Sequence, residues 1–438
     1  MTGVQTCALP ILHNPFLMAD MDAAIERIEK ALESKEKIMV FGDYDVDGTT
    51  AVSLVYSFFS QFTDQIEYYI PHRYTEGYGV SKLGIDTAID NGVTLIICLD
   101  CGIKANDLIE YARDNGVDFI VCDHHLPGAE LPPAVAILDP KRKECSYPYD
   151  ELSGCGIGFK LVQAYSQKNG IDFEDLHQYL DLTAISIAAD IVPLTGENRV
   201  LAYFGLIEIN TRPRLGIKAL LELAKVKDTL TLENLVFIIG PRINAAGRIE
   251  TGRNAVSLLI SDDEAKARKT SALIDKHNLE RRELDKNITA SALHMIADNP
   301  QLQTQKSTVL YHPDWHKGVI GIVASRLIEN YYRPTIVLTS SNGKAAGSAR
   351  SVLGYSVYEA IEACSDLLLQ FGGHKYAAGL TIKTENIEAF QKKFEEVVSN
   401  TIDEKLLIPT VELDGEFHFR SEERRVGKEC RSRWSPSH

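Results

Sequence analysis

Three short apolar runs, each followed within two residues by aspartate, constrain the fold of this chain more than any other feature. The runs cover Ile38–Phe41, Thr94–Cys98 and Phe119–Cys122, and runs rich in β-branched residues predict buried strands of a parallel sheet. The polar clusters that follow them are Asp43-Tyr44-Asp45-Val46-Asp47-Gly48, Leu99-Asp100-Cys101-Gly102 and Asp123-His124-His125. Because the carboxyl ends of adjacent parallel strands meet in one crevice, the sequence predicts a single site that gathers these acidic and imidazole groups.

So many carboxylates predict a metal site with more than one ion. Like charges a few ångströms apart in a poorly hydrated cleft repel one another strongly unless cations separate them. Oxygen-rich ligation with an imidazole favours Mn²⁺ or Mg²⁺ over metals that prefer thiolates. The D-x-D-x-D-G pattern also opens calcium-binding helix–loop–helix motifs, but Leu54 stands where such a loop needs glutamate. We therefore interpret residues 43–48 as carboxylates at a strand end, where Gly48 permits the turn into a helix.

The order of predicted elements indicates two α/β domains. Residues 20–140 alternate strands and helices, which is typical of a doubly wound, mostly parallel sheet. Residues 156–223 are predicted to be helical and include an almost wholly apolar segment that ends at Asp190, and residues 261–296 predict a long charged helix. A second, smaller α/β unit begins near Thr308.

Composition places the chain among ordinary globular proteins. Its 438 residues are 45% hydrophobic and 24% charged, as in typical globular domains. No apolar run approaches the ~20 residues that cross a bilayer, and the N-terminus lacks a secretory signal, so we expect a cytoplasmic protein without membrane association. The net charge of −15 argues against broad polyanion binding but allows a local basic groove. Cys98 and Cys101 have redox-motif spacing, yet a buried strand position favours reduced core thiols.

Glycine-rich segments with basic residues predict phosphate binding. Their backbone N–H groups, hydroxyls and guanidinium groups are the donors that a phosphodiester needs. The sequence predicts a compact loop at Gly240–Arg248 and another loop at Phe371–Gly379. His312–Val319 and Gly347–Ser351 offer further histidine, serine and arginine side chains. Each segment alone is also compatible with an ordinary turn.

Together these motifs resemble the DHH phosphoesterase superfamily and, within it, the RecJ family of single-stranded-DNA exonucleases. The superfamily signature is carried by Asp123-His124-His125, the residue 43–48 cluster, Asp100 and Asp190. The RecJ resemblance is carried by GPRINAAGR, WHKGVIGIVASR, GSARS and GGHKYAAG, and it covers about residues 14–418. It implies two-metal hydrolysis of single-stranded DNA in the 5′→3′ direction, with release of 5′ mononucleotides in DNA repair and recombination.

The resemblance implies roles for individual residues. One ion would be bound by Asp45 and Asp100 with help from Asp43, because Phe41 stands where some superfamily members have a ligating histidine. The ligands implied for the other ion are Asp47, Asp100, His124 and Asp190, which makes Asp100 the bridge. The implied catalytic residues are Asp100, His124 and His125, the last of them contacting the scissile phosphate. The implied substrate-binding residues are Arg73, Arg242, Arg248, His316, Arg350, Ser351, Gly372, Gly373 and His374.

The resemblance also implies domain boundaries. A DHH domain would cover residues 14–215, a helical connector 216–300 and a DHH-associated substrate-binding domain 301–405. Residues 406–420 resemble the start of an OB-fold, which we expect to be truncated. Residues 1–13 and 421–438 resemble translated sequencing-adapter read-through, so we expect them to be foreign to the protein.

The resemblance also implies partners, and two alternative functions stay open. We expect a monomer that uses two Mn²⁺ or Mg²⁺ ions and acts on single-stranded DNA with a single-strand-binding protein and a helicase. The first alternative is a DHH-family oligoribonuclease or cyclic-dinucleotide phosphodiesterase, whose usual His-x-x-Pro-Asp-Gly-Asp-like opening motif is missing from this chain. The second is a catalytically inactive replication scaffold, which would be expected to have lost the metal ligands that this chain retains.

Overall fold

The computed structural model describes residues 12–341 and 343–410 and contains two compact units, the first ending at Leu284 and the second beginning at Asp285. The adapter-like residues 1–11 and 421–438, and the OB-fold residues beyond 410, lie outside the described residues. Among the residues that are described, no helix combines the length and the apolar character needed to span a lipid bilayer.

The first unit is built on a five-stranded, wholly parallel sheet. Its strands are β1 (Lys37–Gly42), β2 (Ile66–Tyr69), β3 (Val93–Leu99), β4 (Asp118–Cys122) and β5 (Ala136–Leu138). Their order is β2-β1-β3-β4-β5. The direction of strand succession therefore reverses between β1 and β3, which is the position where open α/β sheets form their ligand crevice.

Helices cover both faces of this sheet. The helices are α1 (Met21–Glu33), α2 (Val46–Phe59), α3 (Lys82–Asp90), α4 (Asn106–Asp114), α5 (Gly154–Asn169), α6 (Leu180–Asp190), α7 (Gly196–Thr211), α8 (Leu215–Ala224), α9 (Gly240–Ile249), α10 (Arg253–Leu259) and α11 (Glu264–Ala297). Alternate strand residues enter different cores, with Val40 and Ile97 on one face and Phe41 and Ile96 on the other. The predicted doubly wound sheet is confirmed.

The predicted loop at Gly240–Arg248 is wrong, because these residues form α9. A π-helical turn, Leu235–Ile239, leads directly into it. Pro241 occupies the first turn, where its missing N–H is not needed. Gly247 lies so close to the loop after β1 that an added Cβ would stand 2.7 Å from the carbonyl oxygen of Tyr44. The glycine therefore serves helix–loop packing rather than a turn.

The region predicted as a connector contributes to the core of the first unit before the unit boundary. Ile217 and Leu220 of α8 and Ile274 of α11 are fully buried in the same apolar cluster as the strands. Helix α11 then continues past Leu284 into the second unit.

The second unit is a smaller α/β structure around a mixed sheet. Its strands are β6 (Thr308–Tyr311), β7 (Thr335–Ser341), β8 (Lys344–Arg350), β9 (Leu368–His374) and β10 (Ala377–Ile382), in the order β6-β7-β8-β10-β9. Only β6 and β7 pair in parallel. The helices are α12 (Pro300–Thr304), α13 (Ile320–Asn330), α14 (Val357–Glu362) and α15 (Ile387–Thr401).

The predicted loop at Phe371–Gly379 is also wrong, because this segment is the β9–β10 hairpin. Phe371 pairs with Leu380 and Gly372 with Gly379. Gly373 has a φ of +145°, and an added Cβ would lie 2.4 Å from the carbonyl oxygen of Ala377. Glycine is therefore required by the hairpin itself.

Candidate metal centre and phosphate-binding surface

Three carboxylates of the first unit converge on one imidazole. The Nε2 atom of His124 lies 3.2 Å from Oδ1 of Asp100, and 3.7 Å from Oδ2 of both Asp47 and Asp190. Asp100 follows β3 and His124 follows β4, whereas Asp47 lies in the first turn of α2 and Asp190 ends α6. The sequence analysis placed these residues in one site, and the structure brings their side chains together at the crevice edge of the sheet.

The backbone around this cluster fixes its carboxylates. Asp47 accepts hydrogen bonds from the N–H groups of Gly154 and Cys155, at 2.7 and 2.8 Å, and from the hydroxyl of Ser186 at 2.6 Å. The N-terminus of α5 thus holds this carboxylate by the interaction that favours anions there. Asp100 has a left-handed backbone with a φ of +58°. Gly154 makes room for it, since an added Cβ would lie 2.7 Å from that of Asp100.

Asp43 and Asp45 are held differently from the other aspartates. Oδ1 of Asp43 accepts from the N–H of Gly79 at 3.1 Å, whereas its Oδ2 is buried without a hydrogen-bond partner. Oδ1 of Asp45 accepts from the N–H of Gly48 at 3.0 Å and caps α2. Among the described residues, two groups bring ligand atoms within 4.8 Å of one another: Asp47, His124 and Asp190, and Asp100, His124 and His125. Asp43 and Asp45 belong to neither group.

The electrostatics of the cluster fit bound cations. Burial, followed by repulsion from Asp45, raises the pKa of Asp43 to about 8. Burial, followed by repulsion from Asp47, raises the pKa of Asp190 to about 8 and that of Asp100 far above its usual range. Carboxylates this close are unfavourable as anions on their own. Divalent cations would restore their charged forms and would satisfy the free oxygen of Asp43, so the donor set fits oxygen-preferring metals.

Two residues without an assigned role in the sequence analysis orient His125. Oδ1 of Asp123 lies 2.7 Å from Nδ1 of the ring, and the hydroxyl of Tyr78 lies 3.3 Å from Nε2. Burial opposes protonation of His125, but the Asp123 carboxylate outweighs it, and the pKa of the ring is raised. Tyr78 lies in a loop between Gly77 and Gly79, both with positive φ. The two flanking glycines are the only sequence pattern near Tyr78 that indicates a tight loop at this position.

The arginines predicted to bind substrate in this unit differ in their surroundings. Arg73 stacks over the ring of Tyr44 at 3.9 Å, with its Nε buried and without a hydrogen-bond partner. Burial raises the pKa values of Asp43 and Asp45, and the Arg73 charge partly opposes that rise. Arg242 instead forms an ion pair with Asp275 at 2.8 Å and donates to the carbonyl of Ile238. Arg73 therefore faces the aspartate loop, whereas the Arg242 guanidinium is held within the helices.

In the second unit, strand register places two basic residues on one face of the sheet. Ala377 of β10 pairs with Arg350 on one side and with His374 on the other. Directly opposite residues of antiparallel strands point to the same face, and each neighbouring strand is about 4.8 Å away. The next row on that face is Ser348, Gly379 and Gly372, and its two glycines leave it almost without side chains. A shallow trough results, with Arg350 and His374 on opposite sides.

Arg350 has the character of an anion-binding group. Its guanidinium donates to the hydroxyl of Ser348 at 3.2 Å and to the carbonyl of Ala349 at 2.8 Å. Burial lowers its pKa, and no carboxylate of the described residues opposes that effect. Gly321 at the start of α13 allows the approach of this side chain, since an added Cβ would lie 3.0 Å from Nη2. A buried cation without a counter-charge is poorly stabilised unless an anion binds.

The remaining predicted residues of the second unit make local contacts. The hydroxyl of Ser351 donates to the carbonyl of Tyr355 at 2.9 Å, which turns it away from the trough. His316 accepts from the N–H of Gly318 at 3.1 Å in the turn before α13.

Comparison with known proteins identifies two family domains and close relatives. The family model for the DHH family, N-terminal domain, matches residues 37–187, and the DHHA1 domain matches residues 304–400. The single-stranded-DNA-specific exonuclease RecJ of Bacillus subtilis is 40% identical over 405 residues, covering 92% of this chain and 50% of the relative. RecJ of Haemophilus influenzae is 37% identical over 431 residues, covering 94% and 74%. This chain therefore spans half to three quarters of these relatives.

A solved structure supports the same comparison. The crystal structure of RecJ from Thermus thermophilus in complex with Mn²⁺ superposes with a TM-score of 0.81 at 29% identity, covering 94% of this chain and 59% of that chain. RecJ from the same organism has also been solved in complex with Mg²⁺.

Proposed function

Because the chain belongs to the RecJ family of single-stranded-DNA-specific exonucleases, we propose that it hydrolyses single-stranded DNA from the 5′ end and releases 5′ mononucleotides. The observation that carries this proposal is the convergence of Asp47, Asp100 and Asp190 on His124. With divalent cations bound, such a cluster suits the hydrolysis of a phosphodiester, whose negative charge grows as the bond breaks.

The metal ions are part of the proposal. We assign one ion to Asp47, Asp100, His124 and Asp190, and the other to Asp45 and Asp100 with Asp43 nearby. Mn²⁺ or Mg²⁺ is supported by the oxygen-rich donor set and by the ions bound to the Thermus thermophilus relative. Bound there, such ions would supply a nucleophilic water at neutral pH and charge neutralisation.

The side chains next to the cluster would position the substrate. The Asp123 carboxylate holds the His125 ring by Nδ1, and its raised pKa favours a protonated ring that attracts a phosphate. The Tyr78 hydroxyl lies at the other ring nitrogen and would limit rotation of the ring. Arg73, stacked on Tyr44 beside the aspartate loop, would contact the DNA backbone.

The trough of the second unit would bind a phosphate of the same strand. Arg350 supplies a charged donor that carries no counter-charge, and His374 faces it across Ala377. Gly372 and Gly379 of the trough have no Cβ and therefore allow a phosphate to approach the protein backbone closely. Gly373 maintains the hairpin that presents His374. We assign no direct contact to Ser351 or Arg242, because the Ser351 hydroxyl and the Nε and Nη1 groups of Arg242 donate within the protein.

A substrate panel tests the proposal. With Mn²⁺, we expect rapid degradation of single-stranded DNA and slow degradation of blunt duplex DNA, single-stranded RNA and the dinucleotide pGpG. A higher rate on pGpG than on long single strands would support an oligoribonuclease or cyclic-dinucleotide pathway enzyme instead. Binding of DNA without hydrolysis in the presence of bound Mn²⁺ would support an inactive scaffold.

The proposal extends to the location, the oligomeric state and the protein partners of the enzyme. We propose a cytoplasmic monomer that acts with a single-strand-binding protein and a helicase. The cytoplasmic location is supported by the cysteines of the described residues, which form no disulfide. Size-exclusion chromatography with light scattering tests the monomer, and co-purification with the host single-strand-binding protein tests that partnership.

A further inference from the structure

Two large aliphatic side chains are exposed at the edge of the metal centre. Leu126 directly follows His125 and is 69% exposed, and Ile191 directly follows Asp190 and is 80% exposed. The two segments meet at the cluster, because the Asp190 carboxylate lies 3.7 Å from Nε2 of His124. Single exposed aliphatic residues are common on protein surfaces. These two, however, adjoin the same cluster of charged residues.

Ile191 also has an unfavourable backbone. It ends α6 in the left-handed region, with φ 59° and ψ 33°. A β-branched residue is an outlier there, whereas glycine or asparagine adopts this conformation readily. Because the Ile191 side chain is exposed, packing within the protein does not explain why isoleucine occupies this position. Strain of this kind concentrates at functional sites.

We propose that Leu126 and Ile191 form an apolar rim that contacts the nucleobase of the 5′-terminal nucleotide, and this inference rests on the proposed exonuclease function. A phosphodiester held at the cluster carries its own base one sugar away, within reach of residues that adjoin the ligands. Contact with the face of a base is favourable for every base and is therefore tolerant of sequence. In a duplex one face of the terminal base stacks on the next base pair and its pairing edge is occupied, so the rim would favour unpaired ends.

An abasic end separates contact with the base from contact with the phosphate. The substrates are two single-stranded oligonucleotides that differ only in whether the 5′-terminal nucleotide carries a base. We expect wild-type protein to show a kcat/KM about tenfold lower on the abasic strand, within the range of base-contact energies. The variants Ile191→Asn and Leu126→Ser should show that lower kcat/KM on the normal strand, mainly through KM, with no further loss on the abasic strand.

Three controls accompany this experiment. Leu83→Ser removes another exposed leucine, 55% exposed on α3, and should discriminate between the strands as wild type does. The affinity for Mn²⁺, measured by calorimetric titration, should be unchanged in both rim variants. Ile191→Asn should melt at or above the wild-type temperature, because asparagine relieves the left-handed strain.

The outcomes distinguish this inference from the proposed function. Rim variants that still prefer the base-containing strand by the wild-type factor would overturn the inference and leave the exonuclease intact. A fall in Mn²⁺ affinity or in hydrolysis of the abasic strand would also overturn it, because the side chains would then act on the metal cluster. Failure of the wild-type protein to hydrolyse either strand would instead contradict the proposed function.

Discussion

Nε2 of His124 lies 3.2 Å from Oδ1 of Asp100, although the two residues follow different strands. The pairing of β3 with β4 continues past the strand ends, because the N–H of Asp100 donates to the carbonyl of Cys122 at 2.9 Å. The side chains of Asp100, one residue after β3, and of His124, two residues after β4, then meet. The contact is therefore a direct product of sheet register, and it places Asp100 against the imidazole that Asp47 and Asp190 also approach.

Replacement of Asp100 by asparagine should separate metal binding from stability. We expect Asp100→Asn to weaken Mn²⁺ binding and hydrolysis by about 100-fold or more, since loss even of groups that support ligands costs 10–100-fold. Without metal, the variant should be as stable as wild type or more stable, because a buried carboxylate repelled by Asp47 is removed. Calorimetric titration with Mn²⁺ and thermal melting in EDTA measure the two effects.

Asp90→Asn is the matched control for this change, since Asp90 is an exposed aspartate at the end of α3. It should leave Mn²⁺ affinity unchanged. Wild-type Mn²⁺ affinity in Asp100→Asn would refute the bridging assignment.

Replacement of two arginines of the second unit by methionine should have opposite effects: one change should raise KM for DNA, and the other should lower stability. Arg350→Met removes a guanidinium without a counter-charge, so stability should be maintained while KM for single-stranded DNA rises about tenfold. Arg333→Met removes hydrogen bonds to Thr308 Oγ1 at 2.7 Å and to the carbonyl of Leu302 at 2.7 Å. It should lower the free energy of unfolding by about 2–4 kcal/mol with little change in KM. Urea unfolding and steady-state kinetics of both variants check this. A loss of stability in Arg350→Met with a higher KM only in Arg333→Met would contradict phosphate binding at the trough.

An added methyl group at Gly247 should disturb the aspartate loop from a distance. Its Cβ would stand 2.7 Å from the carbonyl oxygen of Tyr44, between Asp43 and Asp45. We expect Gly247→Ala to lower the free energy of unfolding by about 1–3 kcal/mol and to weaken Mn²⁺ binding. Gly156→Ala is the control, because its Cβ would meet Leu152 at an ordinary 3.4 Å. Equal Mn²⁺ affinities of the two variants would show that α9 does not support the loop.

The free energy of unfolding at acidic pH should depend on Glu36. Burial raises its pKa, but hydrogen bonds from Thr94 and Arg27 outweigh burial and leave the pKa below its usual value. A lowered carboxyl pKa contributes stability that is present above the unfolded-state pKa of about 4.3 and is lost as the pH falls through the folded-state value. The stability difference between wild type and Glu36→Gln should therefore be full at pH 6 and shrink below about pH 4.3.

Urea unfolding in EDTA from pH 3 to pH 7 measures this difference. Glu33→Gln, at an exposed glutamate on α1, is measured alongside as a control for the removal of one carboxyl group. A difference between wild type and Glu36→Gln that stays constant over this range would contradict the assignment.

Local patterns were sufficient for the strands and for the metal cluster. The predicted run Phe119–Cys122 lies within β4 and ends where that strand ends, because apolar β-branched residues encode burial directly. Asp47, Asp100 and His124 were placed together because parallel strands end on one edge, a rule that needs no side-chain detail.

Long-range contacts account for what the sequence analysis missed. Gly240–Ile249 contains three features that suggest a loop, Gly240, Pro241 and Gly247, but the close packing of Gly247 on Tyr44 makes it a helix. The ion pair of Arg242 with Asp275 joins residues 33 positions apart, which no local pattern shows. The same holds for Tyr78, whose hydroxyl meets His125 from 47 positions away.

Release of an end label tests the central claim most directly. A single-stranded oligonucleotide labelled on its 5′ phosphate is incubated with the protein and Mn²⁺, in parallel with a strand labelled at its 3′ end. We predict immediate release of the 5′ label as a mononucleotide and stepwise shortening of the 3′-labelled strand, with neither in EDTA or with Asp100→Asn. Stepwise shortening of the 5′-labelled strand, or full activity of Asp100→Asn, would contradict the account.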